Sequence, residues 1–328
     1  MGESKSLIVD SWRFCVAPML DWTDVNCRFF HRLISRRARL YTEMVTTGAL
    51  LHGDVKKLLY FNVQEHPVAL QLGGSDPKDL AQCAKLGQDF GYDEINLNCG
   101  CPSERVQKGA FGACLMKTPH LVADCVRAMQ DTVEIPVTVK HRIGVDEYDS
   151  YDFVRDFVGT LFEAGTRVFI VHTRKAWLKG LSPEENRKVP PLKREVAYKL
   201  KKDFPEAVIV VNGGISSMDE AAEVLKNADG VMVGRAAYKN PWMLSLVDSC
   251  LYGEESPVTK AGVLQALAQY ASERRELPAL KSCARAAMGL MSGEPGARHF
   301  RRVLSESKNF SVLGPGIFNE ALKSMSDD

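Results

Sequence analysis

Two thiols lie in the segment Asn98-Cys99-Gly100-Cys101-Pro102, and Cys101, set between Gly100 and Pro102, falls at the start of a loop where a side chain can face a substrate. An ordinary thiol, with a pKa of about 8.5, is mostly protonated at neutral pH and can act as a general acid without heavy tuning. Three other roles compete. A buried structural thiol is the commonest fate of a cysteine, but Gly100 and Pro102 take Cys101 out of mid-strand. A metal site from Cys99, Cys101 and Cys114 lacks the second paired element that zinc sites carry, so no metal is expected. A thiolate nucleophile needs a neighbouring base or cation. By period-two alternation Cys99 points opposite to Asn98 and Gly100 and is expected to pack.

A second group of residues suits a phosphate and what hangs from it. Asn212-Gly213-Gly214 closes one apolar run, and Gly234-Arg235 closes the next, 20 residues after Gly214. Glycines after two adjacent strands free backbone N–H groups to cradle a phosphate, and a side chain there would hold it away. Gln71, Lys140 and His172 close other apolar runs. A flavin ring needs an amide for its pyrimidine edge and a cation near N1 and O2, and Gln71 with Lys140 supplies both. A Schiff-base lysine competes for Lys140 and a structural histidine for His172. No G-x-G-x-x-G follows a strand, so a tightly held Rossmann nicotinamide is not indicated.

The elements that must position these groups form an eightfold beat. Apolar, β-rich runs fall at 14–20, 40–45, 67–73, 94–100, 136–142, 168–173, 208–214 and 230–236, most of them near-continuous Val, Ile and Leu. Such runs suit parallel strands buried on both faces. Amphipathic stretches such as 77–90, 119–131, 150–164 and 217–227 lie between them. Eight strand-helix repeats over about 240 residues predict a (β/α)8 TIM barrel of the α/β class, whose usual size is about 250 residues, with a doubly wound sheet as the alternative. The barrel is favoured because the run ends carry Pro18-Met19, Gln71, Asn98-Cys99-Gly100-Cys101, Lys140, His172, Asn212-Gly213-Gly214 and Gly234-Arg235. Chemistry in this fold sits at the C-terminal strand ends. The segments 101–117 and 174–192 are too long for plain connectors and read as binding loops.

After a turn-rich junction at Gly253-Glu254-Glu255-Ser256-Pro257 only helical patterns remain, near 259–276, 280–291, 295–307 and 316–325. The expected division is a catalytic barrel at 1–252 and a small all-helical domain at 253–328. Between Arg274 and Lys308 stand eight Lys and Arg against three Glu. This reads as the one basic surface dense enough for a polyanion, in competition with a solvated helix face.

Composition bounds the partners. The 328 residues are 45% apolar and 25% charged, with 42 Lys and Arg against 41 Asp and Glu. That excludes a disordered chain and a uniformly basic coat, so a polyanion must be held by a local cluster. Nine cysteines without a secretory leader read as reduced thiols. No apolar stretch approaches the roughly 20 residues needed to span a bilayer. The expected home is the cytoplasm, or an organelle matrix after processing. Met1-Gly2-Glu3-Ser4-Lys5-Ser6 also fits a loose myristoylation pattern.

At Asn96-Leu97-Asn98-Cys99-Gly100-Cys101-Pro102-Ser103 the chain resembles the tRNA-dihydrouridine synthase family, in its bacterial-type branch that modifies D-loop positions 20 and 20a. The likeness includes Ala17-Pro18-Met19, Thr42-Glu43-Met44, Gln71-Leu72-Gly73-Gly74, Lys140-His141-Arg142-Ile143-Gly144, His172-Thr173-Arg174-Lys175-Ala176-Trp177-Leu178, Asn212-Gly213-Gly214-Ile215 and Pro295-Gly296-Ala297-Arg298. It runs in order over nearly the whole chain. The resemblance implies an FMN-bound barrel, reduction by NADPH, a helical domain that helps hold tRNA, and Cys101 as the acid. No membrane and no obligate protein partner are implied. Hydride from flavin N5 should reach C6 of uracil, whose C5=C6 bond is conjugated to the C4 carbonyl, and a proton should follow at C5. Pro18, Met19, Gln71, Lys140, His172, Asn212, Gly213, Gly214, Gly234 and Arg235 are the implied cofactor residues. Asn98, Arg187, Arg298 and Arg301 are the implied tRNA-facing ones. Cys99 stands where relatives usually carry an aliphatic residue, and Glu184 where a basic one is often found. Two other functions compete: a small-molecule FMN oxidoreductase of the dihydroorotate-dehydrogenase type, and a non-catalytic RNA-binding protein.

Overall fold

A computed structural model describes residues 10–255, 257–274 and 277–323. Nine strands form one parallel sheet: β1 Phe14–Val16, β2 Leu40–Tyr41, β3 Val45–Thr46, β4 Val68–Gly73, β5 Glu94–Cys99, β6 Val137–Arg142, β7 Val168–His172, β8 Val208–Asn212 and β9 Gly230–Val233. Their order is β1-β9-β8-β7-β6-β5-β4-β2, with β3 also on β4. A parallel bridge between Cys15 and Arg39, with Val16 N–H donating to the Arg39 carbonyl at 2.9 Å, joins β1 to β2 and closes the ring. The expected barrel is therefore present.

Its second strand differs from the expected run at 40–45. Both β2 and β3 pair with β4, and the chain between them leaves the ladder, so one barrel position is filled in two pieces. The first and last strands are also shorter than the expected runs at 14–20 and 230–236. Pro18 and Met19 lie beyond β1, and a helix, Arg235–Lys239, begins where 230–236 was expected to continue as strand.

Two apolar layers hold the barrel. One lies outside, where alternate strand residues such as Ile95, Leu97 and Cys99 meet the flanking helices; Cys99 packs there as expected. The other fills the bore with Trp12, Tyr41, Ile170, Val210 and Met232. Glu94 is fully buried in that bore, and its carboxylate accepts from four side chains. The donors are Trp12 Nε1 at 2.8 Å, Arg39 Nη1 at 3.2 Å, Tyr41 Oη at 2.8 Å and Thr138 Oγ1 at 2.5 Å. A buried charge is tolerated only when paired and hydrogen-bonded in this way.

Short polar residues start the surrounding helices. Asp24 caps Val25–Ile34 by accepting from Asn26 and Cys27 N–H, Asp76 caps Pro77–Phe90, and Ser150 caps Tyr151–Glu163. Each satisfies backbone donors that the first helical turn leaves free. The long segment after β5 contains a helix, Glu104–Lys108, and a 3-10 turn, Gly112–Lys117. The segment after β7 contains a 3-10 turn, Glu185–Arg187.

The C-terminal helices are Lys260–Arg274, Leu277–Ala287, Ala297–Ser305, Ser307–Leu313 and Ile317–Lys323. The helix at 307–313 was not expected, and the one near 280–291 starts earlier and ends at Ala287. The expected ends at Glu276 and Met325, the Arg275 of the basic count and the Met1 to Ser6 pattern lie outside the described residues. These helices share the outer apolar core with the barrel. Phe29 stacks on Tyr270 with ring centroids 3.8 Å apart, and Ser282 donates to Asp24. No helix among the described residues is long and apolar enough to cross a membrane.

Candidate active site

Parallel register carries the expected site residues to one end of the barrel. Gln71 lies opposite Asn96, Asn98 opposite Lys140, Arg142 opposite His172, and His172 opposite Asn212, so one strand end leads to the next. Even-numbered positions of β5 turn inward, which gives Asn96 and Asn98 to the bore while their odd neighbours pack outside.

An amide chain climbs from the bore to the backbone of Cys101. Asn96 Nδ2 donates to Thr138 Oγ1 at 2.8 Å, Gln71 Nε2 to Asn96 Oδ1 at 2.7 Å, and Asn98 Nδ2 to Gln71 Oε1 at 2.9 Å. Asn98 Oδ1 then accepts the backbone N–H groups of Gly100 and Cys101, each at 3.0 Å. Gln71 retains one N–H and Asn98 another, enough for each to reach one outside acceptor. The Cys101 thiol is half-buried and faces Ser103 Oγ at 3.5 Å, and the Cys101 carbonyl accepts Ala113 N–H at 2.9 Å. Gly112 makes that approach possible: its φ is +78°, and a Cβ would stand 2.6 Å from the Cys101 carbonyl oxygen.

Cations dominate the mouth. Burial pushes the Lys140 ammonium down to about 7, the Arg142 charge adds to this, and Cys101 opposes it. His172 is held well below the usual imidazole range, first by burial and then by Arg142, Lys140, Arg174 and Arg187, so it is neutral at pH 7. Arg174 is lowered by burial, then by Arg235 and Arg194, which puts these guanidinium groups in one field. The C-terminal run is thus not the only dense basic surface, contrary to expectation. Sequence spacing hid the second because its members come from the end of β6 (Lys140, Arg142), the loop after β7 and the helix that follows it (Arg174, Arg187, Arg194), and the residue after β9 (Arg235).

Gly213 and Gly214, the glycines expected to cradle a phosphate, have φ of +124° and +68°. A Cβ on Gly214 would stand 2.8 Å from Leu192 Cδ2, and one on Gly213 3.0 Å from Thr173 Oγ1. At Gly234 a Cβ would make only ordinary contacts, at 3.6 Å, so glycine is not demanded there by the protein itself. Asn212 uses its Nδ2 to tie β8 to the Met232 carbonyl of β9 at 2.8 Å, a structural duty beside any contact with a ligand. Met19 joins the bore layer from above, and the half-buried Pro18 lies beside it in the loop after β1.

Arg194 was missed by sequence reasoning. It opens the helix Arg194–Asp203, its Nη2 lies 3.5 Å from the Gly213 carbonyl, and its Nε is buried with no hydrogen-bond partner. A buried donor left unpaired is costly, and an oxyanion at the glycines would satisfy it. The only sequence signal was a lone Arg ending the long loop. The donor set fits a phosphorylated flavin: glycine N–H groups with Arg194 and Arg235 for the phosphate, and Gln71 with Lys140 for the ring.

The residues expected to face tRNA fall in two places. Arg187 is exposed beside the mouth, and its carbonyl accepts from Arg235 Nη2 at 3.2 Å. Glu184 pairs with Lys188 at 2.5 Å, so its negative charge is offset within one turn. Arg298 and Arg301 are exposed on the helix Ala297–Ser305, and no carboxylate among the described residues pairs with either. Other members of that run are tied down: Arg274 lies over Tyr60 and Tyr270, each at 4.8 Å, and Arg285 pairs with Asp24 at 3.7 Å. Among the described residues no three His, Cys, Asp or Glu side chains group as metal ligands.

A model described as "Dihydrouridine synthase (Dus)" matches residues 15–324. The chain belongs to the dihydrouridine synthase family. It is thereby placed among flavin-dependent oxidoreductases. Family relatives resemble it over almost their full lengths. The tRNA-dihydrouridine(20/20a) synthase of Salmonella typhi is 53% identical over 328 residues, covering 99% of this chain and 98% of its own. Proteins of the same name from Yersinia pestis and Vibrio cholerae are each 54% identical over 317 residues, covering 96% and 95% of this chain and 92% and 96% of theirs.

Proposed function

We propose that this enzyme reduces the C5=C6 bond of uridine to 5,6-dihydrouridine at D-loop positions 20 and 20a of tRNA, using FMN as its flavin and NADPH as reductant. The observation that carries the reading is the convergence of Cys101, Lys140, His172 and the Gly213-Gly214 turn at one barrel mouth, with Asn98 linking Gln71 to the Cys101 backbone. The names of the relatives supply the RNA and its positions.

When bound, the reduced flavin supplies the hydride that reaches C6 of uracil. Every other duty falls to the chain. Gly213, Gly214, Gly234, Arg194 and Arg235 hold the phosphate; Gln71 and Lys140 bind the pyrimidine edge, with His172, Pro18, Met19 and Asn212 completing the pocket. A cation at Lys140 favours the anionic reduced ring. Cys101 would give its proton to C5 and regain one from solvent. Asn98 and Arg187 orient the flipped base, and Arg298 and Arg301 hold the tRNA body. Unstacking a base costs a few kcal/mol, which contacts elsewhere must offset. The division into 1–252 and 253–328 and a cytoplasmic location belong to the same proposal.

The dihydroorotate-type alternative needs no surface for a polyanion, and the exposed Arg298 and Arg301 weigh against it. Mapping dihydrouridine in tRNA from a strain lacking the gene tests the proposal. Loss at positions 20 and 20a alone, restored by the wild-type gene, is the expected result. Unchanged dihydrouridine there would overturn it.

A further inference from the structure

Flanking Cys101 are two carbonyls held by side chains that have no part in the chemistry above. Arg142, 3% exposed at the end of β6, donates Nε to the Gly100 carbonyl at 2.8 Å. Its Nη1 donates across the mouth to the carbonyls of Lys175 and Asn186, both at 3.0 Å. On the other side of the thiol, Gln107 Nε2 donates to the Pro102 carbonyl and to the Leu178 carbonyl, both at 2.7 Å. Each staple joins the loop after β5 to the loop after β7.

The second loop is itself braced. Asn186 is fully buried, its Oδ1 accepts Trp177 N–H at 2.7 Å, and its Nδ2 donates to the Trp177 carbonyl at 2.9 Å. Arg187 follows directly in the chain. A continuous path of short hydrogen bonds therefore runs from the residue before Cys101, through Arg142, to the residue before Arg187.

We infer that Arg142 and Gln107 are positioning residues that fasten the acid loop to the RNA-facing loop, so that docking of RNA at Arg187 and proton delivery from Cys101 occur on one rigid body. A guanidinium suits the task because one planar group reaches three carbonyls at fixed angles, which a lysine ammonium on a flexible stem does not reproduce. The need for such bracing follows from the sensitivity of proton transfer to placement: an error of about 1 Å costs on the order of 100-fold. This inference rests on Cys101 being the proton donor.

The test uses FMN-loaded full-length enzyme with Gln107→Ala, Arg142→Lys and Cys101→Ala. Peptide-resolved alkylation by iodoacetamide compares Cys101 with the exposed Cys250 as internal standard, and stopped flow follows flavin reduction by NADPH and single-turnover reoxidation by saturating tRNA. In Gln107→Ala the expected results are faster alkylation of Cys101 relative to Cys250, reduction by NADPH within about twofold of wild type, and reoxidation slowed about 10- to 100-fold. A larger solvent deuterium isotope effect on reoxidation should accompany the slowing, because proton delivery becomes limiting; a merely structural loss would not raise it. Arg142→Lys should change both loops in the same direction. Wild-type alkylation and reoxidation in Gln107→Ala overturn the inference while Cys101→Ala stays slow. Loss of both half-reactions in equal measure overturns it too, since that is general destabilisation. Wild-type reoxidation in Cys101→Ala instead overturns the acid assignment on which the inference stands.

Discussion

Asn98 holds the backbone of Cys101: its side-chain oxygen accepts the Cys101 N–H at 3.0 Å. The proposed acid is thus suspended from a strand-borne amide rather than from its own loop. Asn98→Ala should slow tRNA-driven flavin reoxidation about 10- to 100-fold, with flavin content preserved, because two backbone N–H groups lose their acceptor and the thiol its placement. Stopped-flow reoxidation beside the flavin absorbance of the purified variant checks it; an unchanged rate would show that the amide is dispensable.

Cys101→Ala should leave reduction of the enzyme by NADPH intact and slow uridine reduction about 10² to 10⁴-fold, the usual span for a lost general acid. Rapid mixing with each partner separates the two half-reactions. Equal slowing of both would remove Cys101 from the acid role.

Arg194→Met should weaken FMN retention about 10- to 100-fold, in line with one charge-assisted hydrogen bond of about 1.5–3 kcal/mol. Gly214→Ala should do likewise by a different route, since its φ of +68° and the 2.8 Å approach to Leu192 strain any side chain. Fluorescence titration of the apoprotein with FMN gives both constants. Wild-type affinity in Arg194→Met would mean that its buried Nε serves something else.

Lys140 titrates at about 7 in the fold, lowered first by burial, against about 10.4 in the unfolded chain. Between those values the unfolded chain binds more protons, so this group makes the apoprotein more stable as pH rises from 7. The stability gap between Lys140→Met and wild type should therefore narrow from pH 7 to 8.5, read from urea midpoints. A gap independent of pH would place the lysine in water.

The double variant Arg298→Ala, Arg301→Ala should weaken tRNA binding and lower the slope of log affinity against log salt by about two units, if each arginine meets one phosphate. NADPH oxidation and FMN content should not change. Parallel lines of equal affinity would make that helix face a solvated one and leave the mouth arginines as the RNA contact.

The barrel was legible because its strands are buried on both faces and so appear as bare Val and Ile runs. Cys101, Lys140 and His172 were legible because they interrupt those runs at their ends. The split second strand was not, since 40–45 reads as one run and only the three-dimensional path shows Thr42 to Met44 leaving the ladder. Arg194 and Arg142 were invisible as a set, because a guanidinium reaches several residues from its own backbone and its partners are carbonyls that sequence does not distinguish. Gln107 was hidden for the same reason inside a segment read only as a long loop.

Glu94, sealed in the bore, also constrains how this sequence can drift. Its carboxylate is satisfied by Trp12, Arg39, Tyr41 and Thr138 together, and removing any one donor leaves charge or dipole stranded without water. A lone substitution is penalised, whereas a concerted exchange of the set for apolar residues of matching volume need not be. The five positions should therefore be inherited as a block, crossed in a single jump or not at all, while the Ile and Val around them can exchange one at a time for apolar residues of similar volume.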